Sequence, residues 1–255
     1  MSEPVRLPVW EESFTVRSYE TDEASFAGVP SLWRYLQEAA GNHATRLGMG
    51  VDDLLRIDRT WLLSRLRLRL FRLPAWRDTI TVATWPAGLR SLFASRGFSV
   101  RDAEGRPVAH AMSDWIYLDV AARKPARPPE WLATAGPEPL PALDLPDNGR
   151  LRDPERVEWS VLFPVRRSEV DLNRHVTNAV YVDWALECVP DAYRGDKAAV
   201  DVEIVYRAAA VRGDAIRAEA GPEGADSILH RLVRESDGAV LAQARSRWAR
   251  LNGTR

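Results

Sequence analysis

The sequence predicts an α+β chain made of two copies of one module, each a curved antiparallel sheet wrapped around a helix. Three observations predict it. The first is duplication. Val16 and Arg17 answer to Val165 and Arg166, Glu20 to Glu169, Asp22 to Asp171 and Glu38 to Glu187, all at one spacing. Further on, at shorter spacings, Asp78 and Ile80 answer to Asp214 and Ile216, Gly105 to Gly238, Ala111 to Ala244, Ser113 to Ser246 and Trp115 to Trp248. A repeat this long means two copies of a domain rather than a stack of short units. The second observation is one apolar stretch of helical spacing in each half. The third is a run of strand-like segments after each of those stretches.

In chain order, Leu32, Tyr35, Leu36, Ala39 and Ala40 recur three and four apart, which puts them on one helix face. Arg65 to Leu70 alternates strictly between Arg and Leu, the mark of a half-buried strand. Asp78 to Trp85 reads as another strand. Phe93 to Val100 and Val108 to Leu118 flank the turn signal Asp102-Ala103-Glu104-Gly105, so they form a hairpin. The second half repeats the scheme. Val180, Tyr181, Trp184 and Cys188 mark its helix. Val200 to Tyr206, Ala215 to Ala220, Ile228 to Arg234 and Val240 to Ala249 mark its strands, with a turn at Ser236-Asp237-Gly238. One helix followed by a run of antiparallel strands gives an α+β layer with the sheet curled around the helix. That is the hotdog arrangement, here in tandem. Residues 124–156 hold eight prolines, which fix φ and remove backbone donors. They read as a linker wrapped along the outside, between an N-terminal copy at 1–123 and a C-terminal copy at 157–255.

Composition narrows the class. The 255 residues, 45% hydrophobic with ten Trp, suffice for a real core. A net charge of −1 gives no general attraction to nucleic acid or membrane. One cysteine excludes an intrachain disulfide and fits a reducing compartment. Met1 to Pro8 lacks a basic region followed by an apolar run, and no window nears an 18-residue apolar span. A cytoplasmic protein is expected.

The segment from Asp171 to Glu187 carries the chemistry. In extended chain, Asp171, Asn173 and His175 point to one side and converge on one substrate carbonyl. A carboxylate to orient an imidazole, an imidazole to move a proton and an amide to position are the parts of an acyl hydrolase. The same residue types are also ordinary turn and helix-capping residues.

Asp171, Asn173, His175-Val176 and Asn178, followed by Tyr181, Trp184 and Glu187 and closed by Pro190, resemble the motif of the acyl-acyl-carrier-protein thioesterases of plants and bacteria. Leu36-Gln37-Glu38, Asn42-His43, Leu47-Gly48, Thr84-Trp85, Ser113-Asp114-Trp115, Arg123-Lys124-Pro125 and Tyr206-Arg207 extend the likeness in family order over most of the chain. The resemblance implies a double hotdog that hydrolyses fatty acyl thioesters to free fatty acid and holo-carrier protein, with no cofactor and no metal. One departure stands out. The plant enzymes carry a Glu and a Cys after the Tyr-Arg pair, and here those places fall on Ala209 and Ala210. Either the chemistry proceeds without that partner, or another group serves, or activity is weak.

His175 is the expected general base, since imidazole titrates near physiological pH. Asp171 either holds the imidazole tautomer or positions the water, and Asn173 orients thioester or nucleophile. Backbone N–H groups from Val176 to Asn178 precede the helix and are expected as oxyanion donors. Asn178 and Glu187 are supporting candidates, although Glu38 holds the place of Glu187 in the first copy and points equally to a shared architectural role. Cys188 reads as a buried structural thiol and His43 as a core histidine. The first copy has Ala24 and Phe26 where the second has Asn173 and His175, so one site per chain is expected, with the first copy supplying walls. The acyl chain is expected against the first helix and its sheet. Arg65, Arg67, Arg69 and Arg72 offer one basic face to an acidic carrier protein. Competing readings are an acyl-CoA thioesterase of the same fold, a non-catalytic acyl-binding protein favoured by Ala209 and Ala210, and a hotdog dehydratase. A fused pair closes the interface that single copies make by dimerising, so either a monomeric pseudo-dimer or a homodimer of it is expected.

Overall fold

The computed structural model describes residues 9–146 and 149–251. The stretch Met1 to Pro8, read above for a leader, lies outside them. The first copy runs β1 (Trp10–Thr15), α1 (Val29–Arg46), α2 (Val51–Leu55), β2 (Arg59–Leu70), β3 (Thr79–Arg90), β4 (Phe93–Asp102), β5 (Pro107–Asp119) and β6 (Lys124–Pro125). The second runs β7 (Trp159–Pro164), α3 (Asn178–Glu187), α4 (Asp191–Arg194), β8 (Ala198–Tyr206), β9 (Ala215–Pro222), β10 (Ser227–Arg234) and β11 (Val240–Ala249).

All the strands join one antiparallel sheet in the order β1-β3-β4-β5-β2-β8-β11-β10-β9-β7, with β6 added beside β5. The order is palindromic: β1, β3, β4, β5 and β2 answer to β7, β9, β10, β11 and β8. The duplication is therefore structural, and the two copies meet where β2 pairs with β8, from Arg65 opposite Val205 to Arg69 opposite Asp201. Alternation places Leu66, Leu68 and Leu70 on the inner face, where they are buried, and the three arginines on the outer face. α1 and α3 lie against the inner face and against each other. One core spans both copies and includes Leu32, Trp33, Leu36, Phe98, Trp184, Ile216 and Leu232. Burial of each large apolar side chain there stabilises by about 1.5–3 kcal/mol. α1 has Pro30 as its second residue, where the missing N–H costs nothing in a first turn. α3 is buried nearly all round, from Ala179 to Leu186, with Asp183 the half-buried exception.

The structure lengthens the expected Asp78–Trp85 strand to Thr79–Arg90. It passes through Pro86 because β1 stops pairing at Thr84, so no β1 ladder bond is lost there. Residues 124–146 and 149–158 pass over the outer face. Gly136 sits so close to the Pro86 carbonyl that a Cβ there would lie 2.2 Å from the oxygen. The Asp144 N–H donates to His110 Nδ1 at 3.0 Å, and the Glu158 N–H donates to the Ala220 carbonyl at 2.9 Å. Among the described residues, no helix is long and apolar enough to cross a membrane.

Candidate active site

The segment from Asp171 to His175 is not extended, which corrects the expectation above. It is a tight turn, closed by the Asp171 N–H to the His175 carbonyl at 2.8 Å and the Arg174 N–H to the Asp171 carbonyl at 3.0 Å. Arg174 sits at φ 62°. The cause is Asp171 itself: its Oδ1 accepts from the N–H of Asn173 at 2.8 Å and of His175 at 3.3 Å. Among the described residues, no hydrogen bond or ion pair joins the side chains of Asp171, Asn173 and His175. The first copy makes the same turn. Asp22 Oδ1 accepts from the N–H of Ala24 and Phe26, both at 3.0 Å, and Ser25 sits at φ 66°. Phe26 bridges to Ala75 just as His175 bridges to Val211. The turn belongs to the module, and the second copy adds Asn173 and His175 to it. Both residues are exposed.

The turn leads straight into α3. The Val176 N–H donates to the Ala210 carbonyl at 2.9 Å, and the Thr177 N–H to the Glu169 carbonyl at 2.9 Å. Two of the three expected oxyanion donors are thus occupied. Among the described residues, the N–H groups of Asn178 and Ala179 meet no acceptor, as first-turn donors often do not. The Thr177 hydroxyl does not cap its own helix. Instead it accepts a long hydrogen bond, 3.4 Å, from Gln37 Nε2 of α1. Among the described residues, Gln37 Oε1 is enclosed and has no partner. One turn earlier, Arg34 pairs with Asp183 of α3. The first copy therefore brings polar groups to the head of α3 as well as walls. Gln37 lies within a segment whose likeness was noted, but its nearness to Thr177 crosses the two copies and leaves no local sequence signal.

The loop Ala208–Ala210 is fastened to the same place. Its Ala210 N–H donates to Tyr181 Oη at 2.6 Å, and Tyr206 Oη donates to the Asn178 carbonyl at 2.9 Å. Ala209 is exposed and Ala210 buried, so only methyl groups face the motif from this loop. Glu187 lies at the far end of α3, about 13 Å along the axis from Asn178 by helix rise, and its carboxylate approaches Arg194 at 3.5 Å. The structure does not bring Glu187 to the turn, whereas Asn178 stands at the first position of the helix.

The remaining titratable groups separate cleanly. Burial pushes the Cys188 thiol up to about 11, and its Sγ donates to the Ala218 carbonyl at 3.3 Å, a structural thiol rather than a nucleophile. Burial holds His43 down to about 4, where it stacks on Trp10 and its Nδ1 meets Arg96 at 2.9 Å. Burial lifts Asp183 to about 6 against the opposing pull of Arg34. Among the described residues, no group of three or more His, Cys, Asp or Glu could hold a metal.

The expected basic landing face is corrected. Arg65 Nε donates to buried Glu203 at 2.6 Å, Arg69 pairs with Asp201 at 2.7 Å and with Asp144 at 2.5 Å, and Arg72 pairs with Asp102 at 2.6 Å. Arg67 lies half-buried between the first two, its Nε enclosed. Arg65, Arg69 and Arg72 are thus neutralised by acids on other strands and on the linker. The inner face of the first sheet, expected to take the acyl chain, is filled by Leu32, Leu36, Leu68, Val82 and Phe98. A cavity of about 220 Å³ opens instead on the outer face, beneath the linker, between Trp85, Arg101, His110 and Pro141.

Comparison with known proteins agrees along the chain. The model of the acyl-ACP thioesterase N-terminal domain matches residues 8–134, and that of the C-terminal domain matches residues 153–250. Oleoyl-acyl carrier protein thioesterase 2 of Arabidopsis thaliana, chloroplastic, is 26% identical over 88% of this chain and 66% of its own length. The acyl-[acyl-carrier-protein] hydrolase FATB2 of Cuphea viscosissima, also chloroplastic, is 26% identical over 94% of this chain and 62% of its own. The chain thus spans just under two thirds of these relatives. The solved acyl-ACP thioesterase from Bacteroides thetaiotaomicron superposes with a TM-score of 0.84 at 23% identity, covering 94% of this chain and 98% of that one. The 12:0-ACP thioesterase from Umbellularia californica gives 0.82 at 23%, covering 94% and 97%. Both share the tandem hotdog fold described above.

Proposed function

The chain belongs to the acyl-ACP thioesterase family, and from that premise we propose that it hydrolyses fatty acyl thioesters carried on acyl carrier protein. One observation carries the site assignment. Of two matching turns, only the second presents an amide and an imidazole, Asn173 and His175, at the head of a helix whose first two N–H groups, those of Asn178 and Ala179, lack acceptors among the described residues. His175 takes a proton from water as the oxygen attacks the thioester carbonyl carbon. The N–H groups of Asn178 and Ala179 receive the developing oxyanion. As the C–S bond breaks, the imidazolium returns the proton to the leaving sulfur, giving fatty acid and thiol. Asn173 orients water or carbonyl, and Asp171 acts by holding the turn. Asn178 contributes its backbone, and Glu187 stands too far along α3 to share the work. No metal or organic cofactor enters this scheme. Copies at 1–123 and 157–255, joined by the linker at 124–156, make a pseudo-dimer that acts as a monomer or as a homodimer of it, and the single reduced Cys188 supports a cytoplasmic setting.

The test is an assay of purified protein against acyl-carrier-protein and acyl-CoA thioesters of several chain lengths, beside His175→Ala and Asn173→Ala. Both variants are expected to lose at least about tenfold in rate, and full activity in both removes the proposed site. Faster turnover of the CoA thioester replaces the carrier-protein reading, and an enoyl product replaces hydrolysis by dehydration. The methyl groups at Ala209 and Ala210 favour one second reading, an acyl-binding protein without turnover, which binding with no product would establish.

A further inference from the structure

The two copies are an internal control for each other at the turn. Their backbones agree in detail. The Arg17 N–H donates to Glu20 at 2.8 Å and the Arg166 N–H to Glu169 at 2.6 Å. Asp78 accepts from the Ala75 N–H at 2.8 Å, and Asp214 from the Val211 N–H at 3.0 Å. Most of the side chains that differ on this common frame change toward positive charge in the second copy, Arg77 against Gly213 being the exception. Where the first copy has Ser18, Ser25 and Trp76, the second has Arg167, Arg174 and Arg212. Where the first has Glu23, the second has Leu172, 97% exposed at the tip of the turn. The fourth cation, Arg166, answers to Arg17, which is ion-paired with Glu20 at 3.5 Å.

Arg166, Arg167, Arg174 and Arg212 are all exposed, and among the described residues none of them meets a carboxylate within ion-pair distance. The nearby acids are engaged elsewhere. Glu169 and Asp171 accept from backbone N–H groups, and Asp214 and Asp237 hold Arg234 at 3.2 and 3.1 Å. The arginines stand on three loops that hydrogen-bond to one another, before, within and opposite the turn. Arg174 occupies a left-handed backbone position that favours Gly or Asn, and an arginine is kept there nonetheless. Elsewhere, Arg65 and Arg69 of β2 are matched by acids of the same chain.

We propose that these four arginines, with Leu172 on the same turn as Arg174, form the docking surface for an acidic carrier protein. The partner's identity rests on the thioesterase reading above, and the surface replaces the β2 face as the landing site. Cations spread over three loops around an exposed apolar tip match an acidic protein face better than a single phosphate. Unpaired rim charges of this kind set the encounter rate and its salt dependence.

The test is direct binding of holo-acyl-carrier-protein at low and high salt, independent of turnover. The proteins are the full chain, the triple variant Arg167→Glu/Arg174→Glu/Arg212→Glu, and Arg150→Glu in the linker as a charge control. The triple variant is expected to bind at least about tenfold more weakly at low salt and to lose most of the salt dependence. Arg150→Glu should bind as the parent does. Thermal melting of each variant separates loss of fold from loss of docking, and Arg167→Gln/Arg174→Gln/Arg212→Gln repeats the measurement if the reversal fails to fold. Unchanged binding and salt slope in a folded triple variant overturn the proposal. So does a parent that binds no carrier protein, or a triple variant that loses only affinity for coenzyme A. Failure of hydrolysis with carrier binding intact removes the catalytic reading and leaves the surface standing.

Discussion

Gln37 is the residue whose placement is hardest to explain by stability alone. An amide oxygen enclosed without a partner costs about 1–3 kcal/mol, and Oε1 is enclosed in this way while Nε2 reaches Thr177 only at 3.4 Å. A leucine of similar volume would relieve that cost. A polar group retained against its own stability, beside the N–H groups that we assign to the oxyanion, fits a part in the reaction. Gln37→Leu is therefore expected to raise the unfolding free energy by about 1 kcal/mol and to lower the hydrolytic rate by about tenfold. Denaturant melts and steady-state rates on one preparation read both. A variant that is more stable and fully active shows the amide to be incidental.

At the scale of elements, much was legible in the sequence. Strict alternation marked β2, and β11 begins and ends at Val240 and Ala249 as expected. Local periodicity suffices for such segments because each residue's face follows from its neighbours. The site turn was misjudged because spacing at i, i+2 and i+4 was read as extended chain, whereas an Asp that accepts from amides two and four residues on builds a turn. Asp22, which keeps that carboxylate in a copy with no imidazole, was the available clue to its structural role. The acids that neutralise Arg65 and Arg69 lie on β8 and the linker, and pairs so remote leave no local trace. The buried titratable groups of the helices and the sheet also predict how the protein meets acid. Burial holds His43 of α1 down to about 4 and His230 of β10 down to about 3, so each stays neutral in the fold. The unfolded chain binds those protons from about pH 6.5 downward, so stability is full above that value and falls as pH drops toward 4. Asp183, lifted to about 6, works in the opposite sense from about pH 6 down to about 4. His230→Gln removes one proton from the balance and should flatten the decline between pH 6 and 4.5 by about 1.4 kcal/mol per pH unit. Chemical melts across that range measure it, and an unchanged slope would mean that His230 charges freely in the folded state.

The whole molecule depends on one seam. Ten strands make a continuous sheet only because β2 pairs with β8, and the two copies share a core across that join. On the inner face Leu66 and Leu68 stand opposite Ile204 and Val202, which closes the core. On the outer face Arg65 meets Glu203, which is wholly buried, and Arg69 and Arg247 share Asp201. Replacing a whole buried ion pair by apolar groups is often neutral, but removing one member strands the other charge and costs about 3–5 kcal/mol. Arg65→Met should therefore destabilise the chain, though by less than that amount because Glu203 keeps another interaction, while Arg65→Met with Glu203→Leu should recover most of the loss. Because the seam joins the copies, the single variant should lower one cooperative transition for the entire chain. Two separate melting transitions, or an additive double variant, would show that the copies fold independently and that the pair does not hold them together.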